Sequence, residues 1–89
     1  MKFKFDYAPA YLKNARKLAK KYPQLKKTYT EVLYKLAENP FNPQLHTHPL
    51  TGELKGKYAC SLTYELRIVF KLNEDVVHLL DIGSHDEVY

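Results

Sequence analysis

The chain has 89 residues, enough for one domain and too few for two. Its hydrophobic fraction of 45% and aromatic content of 13% exclude a disordered polyelectrolyte, and its single cysteine, Cys60, excludes an internal disulfide and a cysteine-based metal site. No apolar run approaches the ~18 residues of a membrane span, and Lys2 and Lys4 stand where a signal peptide needs its apolar core, so a cytoplasmic protein is expected.

Charge divides the chain. Residues 1–38 carry ten Lys or Arg against three acids, whereas residues 39–89 carry four against seven. A basic half beside a slightly acidic one fits a polyanionic partner, nucleic acid or an acidic protein, and fits equally a pair of lysine-solvated amphipathic helices.

Lys2-Phe3-Lys4-Phe5 alternates, which predicts a short strand with both phenylalanines inward. Pro9 suits a first helical turn, and Tyr11, Leu12, Ala15, Leu18, Ala19 and Tyr22 recur on one helical face. Tyr22-Pro23 breaks that helix. Leu25, Tyr29, Val32, Leu33, Leu36 and Ala37 predict a second one, ended by Asn39-Pro40. Residues 39–53 hold three of the five prolines and predict an ordered loop. Leu54 to Leu62 alternates as a strand, with Lys55, Lys57, Ala59 and Ser61 sharing one face. The runs Glu65–Leu72 and Val76–Gly83, split by a polar Asn-Glu-Asp, predict a hairpin. Alternation puts Arg67 opposite Leu66, Ile68 and Phe70, which predicts a sheet with one dry face and one polar face. The expected class is α+β, a single domain over 1–89 in the order βααβββ, with an antiparallel sheet packed on one face by a helical hairpin.

That order, together with His48-Pro49-Leu50, the run LKGKY (54–58), the run LRIVFK (66–71) and the terminal GSHDEVY (83–89), resembles the RelE/ParE superfamily of bacterial toxins. Within it the likeness is to the RelE and YafQ-like branches. The resemblance spans essentially the whole chain and rests on the ordered combination of short motifs. It implies a ribosome-dependent mRNA endonuclease restrained by an antitoxin, cutting in the ribosomal A site without a metal or other cofactor. In that chemistry the 2′-hydroxyl attacks the adjacent phosphate, leaving a cyclic phosphate and a free 5′-hydroxyl. By the same resemblance His48 matches the loop histidine, His85 the C-terminal histidine, Tyr89 the terminal aromatic and Arg67 the third-strand arginine. Where YafQ-like proteins carry a second-strand histidine this chain has Ser61, and where they carry an aspartate it has Glu65.

The residue types suit the chemistry. Cleavage through a 2′-hydroxyl needs a base, an acid and positive charge near the phosphorane. Histidine can serve as either acid or base near neutrality, so His48 and His85 can share those tasks, with Glu65 as a helper or alternative base. The planar fork of Arg67 suits a phosphate. Lys55, Lys57 and Ser61 are expected to position the RNA backbone, and Tyr89 to stack on a base. Three readings compete. His46-Thr47-His48 is an H-x-H pair that, if extended, could join His85 or Asp86 around zinc. ParE-like relatives share the fold but target DNA gyrase. An inert binding module of the same fold is the third.

Overall fold

The computed structural model of the protein describes residues 2–89. Strand β1 (Lys4–Tyr7) leads into helix α1 (Pro9–Lys21), which starts with proline at a first-turn position where its missing N–H costs nothing. The helix stops at Tyr22, which Pro23 forces out of helical geometry. Helix α2 (Leu25–Glu38) stops the same way, with Asn39 extended ahead of Pro40. The chain then forms a 3-10 turn at Pro43–Leu45, the two-residue strand β2 (His48–Pro49) and a second 3-10 turn at Gly52–Leu54. Strands β3 (Tyr58–Ser61), β4 (Leu66–Asn73) and β5 (Val76–Ser84) and one helical turn, α3 (His85–Val88), complete it.

The sheet runs β1-β5-β4-β3-β2. Both helices lie on one face. Tyr11, Val32 and Leu36 meet Ile68, Phe70, Val77, Leu79 and Ile82 in the main core, and Phe3 and Phe5 pack against it as expected. Fully burying a side chain such as Phe70 or Leu36 contributes about 1.5–3 kcal/mol. The hydroxyls of Tyr11 and Tyr29 hydrogen-bond each other at 2.5 Å, which ties α1 to α2 within that layer. The β4–β5 hairpin turns through Glu74, whose φ of 55° is left-handed. Its register steps from Val69↔Asp81 to Phe70↔Leu79, making Leu80 the extra residue of a bulge. At the bulge the Asp81 carboxylate accepts from Asn14 Nδ2 at 2.7 Å and from the Ile82 N–H at 2.8 Å.

Four expectations need correction. The sheet has five strands, because His48–Pro49 pairs with Tyr58–Ala59. β1 runs parallel to β5, a direction that a period-2 pattern does not encode. The third strand begins only at Tyr58: Gly52 (φ 66°) and Gly56 (φ 92°) take left-handed conformations that break the extended chain. Lys55 and Lys57 therefore sit in a turn and its exit, not on a strand face with Ser61. Finally, the second sheet face is not simply polar. Ala59 and Val69 are buried there beneath Leu50 and Val88, with Leu54 and Leu80 at the edge. Among the described residues no helix is long and apolar enough to cross a membrane.

Candidate active site

The face opposite the helices carries a row of residues set by strand register. Ser61 lies across from Arg67, Arg67 lies across from Gly83, and His48 is paired with Ala59, two residues before Ser61. Arg67 thus stands on the face expected from its alternation with Leu66 and Ile68. Its Nη1 donates to the carbonyls of Thr63 (2.8 Å), Tyr64 (2.9 Å) and Leu66 (3.1 Å). That fastens one arm of the guanidinium to the β3–β4 turn. Among the described residues Arg67 makes no ion pair, so its charge is not neutralised by Glu65 or Asp81.

His48 is held by its own loop. Asn39 Oδ1 accepts from the Phe41 N–H, Asn42 Oδ1 from the Gln44 N–H, and Thr47 Oγ1 donates to the Pro40 carbonyl at 2.6 Å. This order carries through to His46, which is left-handed with φ 53°. The H-x-H segment is therefore not extended, the condition on which the zinc reading rested. Instead, the His46 carbonyl lies 3.1 Å from His48 Nδ1. A carbonyl can only accept, so neutral His48 carries its proton on Nδ1 and leaves Nε2 with a free lone pair. Tyr89 Oη, 3.2 Å away, donates to that lone pair.

The C-terminal turn brings the other groups in. Ser84 Oγ accepts from the Glu87 N–H (3.3 Å) and Glu87 Oε1 from the Ser84 N–H (2.9 Å), a reciprocal capping box. These bonds hold the Glu87 carboxyl below its ordinary value. The turn can sit close to β5 because Gly83 has no side chain: a Cβ there would meet Glu87 Oε1 at 3.2 Å and Val88 Cγ1 at 3.3 Å. Val88 fills the smaller core, and the rings of His85 and Tyr89 pack edge to face with centroids 4.2 Å apart. The Tyr89 and His48 rings are 6.3 Å apart, also edge to face. Partial burial raises the Tyr89 phenol, and the Arg67 charge pulls it the other way.

Of the expected site residues, the structure gathers His48, His85 and Tyr89 by direct contact and places Arg67 and Ser61 on the same face. Glu65 stands exposed in the β3–β4 turn with no hydrogen bond or ion pair among the described residues. Lys55 is exposed and Lys57 half-buried. Asp86 lies 3.7 Å from His85 Nδ1, with both groups largely in solvent. His78 instead pairs with Asp6 across β1 and β5 at 2.7 Å. Beside His48 opens a cleft of about 550 Å³, lined by Ser61, Tyr64, Arg67 and the α2 residue Lys35 among others. Two contributors escaped sequence reasoning: the His46 carbonyl, which only the loop conformation reveals, and the Ser84/Glu87 box, whose S-x-x-E spacing was visible. Among the described residues no group of three or more His, Cys, Asp or Glu could hold a metal ion.

The family model for the bacterial toxin of type II toxin–antitoxin systems, YafQ, matches residues 3–89. The metal-bound toxin from Helicobacter pylori is 30% identical, with 98% of this chain and 99% of that chain covered and a TM-score of 0.82. A copper-bound mutant toxin from the same organism is 26% identical over 98% of this chain and 99% of that one, with a TM-score of 0.84. YafQ of the DinJ–YafQ complex from Escherichia coli shares the fold at a TM-score of 0.82, 16% identity and 98% coverage of both chains. No individually curated protein matches. The chain belongs to the YafQ family of bacterial toxins of type II toxin–antitoxin systems.

Proposed function

We propose that this toxin is a ribosome-dependent mRNA endonuclease that cleaves through the RNA's own 2′-hydroxyl, acting in the cytoplasm. The observation that carries the reading is the His48–Tyr89–His85 cluster on the same sheet face as Arg67. Neutral His48, with its proton on Nδ1, presents the Nε2 lone pair that takes the 2′-hydroxyl proton once substrate displaces the Tyr89 hydroxyl. The 2′-oxygen bonds to phosphorus and the P–O5′ bond breaks, leaving a cyclic phosphate. His85, as imidazolium, gives its proton to the leaving 5′-oxygen. The arm of Arg67 that is not tied to the turn faces the charge that grows on the phosphorane. Tyr89 aligns His48 and offers a ring to a neighbouring base, Ser61 and the turn lysines Lys55 and Lys57 hold the backbone, and Glu65 is an auxiliary carboxylate at the turn.

The H. pylori relative is metal-bound, but the donors gathered here are two imidazoles and a phenol. That set is thinner than a metal site of three or four protein ligands, and no step is routed through a metal. The partner is a cognate antitoxin with an acidic segment that covers the basic surface, by analogy with the DinJ–YafQ complex. Induced expression with primer-extension mapping tests the reading. In-frame cuts in translated messages are expected, while stalled replication with intact mRNA would favour a gyrase-directed toxin.

A further inference from the structure

The β3–β4 turn is tied at Leu62, Thr63 and Leu66 and displays one residue that the proposed chemistry does not use. The N–H groups of Leu62 and Thr63 both donate to the Leu66 carbonyl (2.9 and 3.3 Å), and Thr63 Oγ1 accepts from the Leu66 N–H at 3.1 Å. Arg67 Nη1 then reaches back to the Thr63 and Tyr64 carbonyls. From this anchored base Tyr64 is 94% exposed. A single exposed apolar side chain needs no explanation by itself. Tyr64 differs by its placement, because it lines the same cleft as Ser61, Arg67 and His48. Its own carbonyl is held by the Arg67 guanidinium, so the backbone that carries the ring is tied to the phosphate-binding group.

We propose that Tyr64 is a base-stacking residue that positions the nucleotide flanking the cleaved phosphate, its ligand being unpaired RNA; this rests on the nuclease reading above. A nucleobase is joined to its phosphate by one sugar, so a ring on the turn that anchors Arg67 is within reach of it. Every base offers a π-face, and stacking on an aromatic side chain works without sequence-specific hydrogen bonds. On the α2 side the cleft is lined by both Lys35 and Glu31, so the positive charge offered to a ribonucleotide backbone is that of Arg67. The anchored backbone fixes where the ring starts, and its exposure leaves the ring face open to a base.

The test titrates toxin against purified translating ribosomes and follows mRNA cleavage for wild type, Tyr64→Ala, Tyr64→Phe and His48→Ala. Tyr64→Ala is expected to raise the half-saturating concentration about 5- to 150-fold, with a much smaller effect on the rate at saturation. Tyr64→Phe keeps the ring and stays near wild type, while His48→Ala shows the opposite split. Tyr64→Ala saturating at the wild-type concentration, while wild type cuts, overturns this inference alone. A loss confined to antitoxin binding, measured on the same variants, assigns the turn to protein docking and also overturns it. A wild type that leaves mRNA intact defeats the nuclease reading and this inference with it. Because Tyr64 is exposed, thermal melting of the alanine variant should match wild type.

Discussion

Replacing Ser84 with Ala should loosen the active site without loosening the fold. The C-terminal turn is four residues long, far too short to be helical alone, and is held by its capping box and by Val88. Ser84→Ala removes the side-chain acceptor of the Glu87 N–H and leaves the Ser84 N–H free to keep its bond to Glu87 Oε1. Loss of a serine cap costs about 0.5–2 kcal/mol, which raises the open fraction of the turn about 2- to 30-fold. The readout is amide hydrogen exchange, above all at Tyr89, whose N–H donates to the His85 carbonyl at 3.1 Å. Exchange at residues 85–89 should rise by that factor while the main core stays protected, and cleavage should fall by no more than the same factor. The depressed Glu87 carboxyl adds a pH signature. A carboxyl with a lowered folded pKa contributes its stabilisation above its ordinary value of 4.5 and loses it as pH falls through the lower folded value. The turn of the wild type should therefore open on acidification below that point. Unchanged exchange at 85–89, or a rise spread evenly over the chain, would refute the reasoning.

Gly83→Ala sets a methyl 3.3 Å from Val88 Cγ1 and 3.2 Å from Glu87 Oε1, so the turn must give by a few tenths of an ångström. His85 and Tyr89 should lose their packing against each other and against His48, and cleavage should drop while the helix-side core melts nearly as before; unaltered exchange and cleavage would contradict this. Cys60 has no exposed surface, and its burial pushes the thiol up to about 12. A thiol-reactive dye at pH 8 should leave it unlabelled until the protein unfolds, and labelling of the native protein at the rate of a free thiol would show that this strand opens readily.

Much of this was legible because one physical rule governed each stretch. Arg67 among Leu66, Ile68 and Phe70 could only alternate to the face away from the helices, and prolines at 9, 23 and 40 marked helix ends that the backbone obeys. What escaped depended on long-range or conformational facts. Strand direction left no mark on the alternation of residues 2–5. Leu54 to Leu62 alternated convincingly, yet the left-handed Gly56 between them removed Lys55 and Lys57 from the strand. Ser84-x-x-Glu87 carries the spacing of a cap, but the closed turn it makes shows only in the structure. His48 and His85 were expected to share the acid and base tasks. What joins them is Tyr89, hydrogen-bonded to His48 and stacked edge-on against His85, and only the helical turn puts it there.

The central claim is that His48 and His85 exchange the protons of an RNA cleavage that proceeds through the 2′-hydroxyl. The most direct measurement is the rate and end chemistry of mRNA cleavage by wild type, His48→Ala and His85→Ala on translating ribosomes. Each substitution should slow cleavage about 10²–10⁴-fold with the fold intact, and wild-type products should carry a cyclic phosphate and a free 5′-hydroxyl. Full activity in both variants, or products with a 5′-phosphate, would contradict the account.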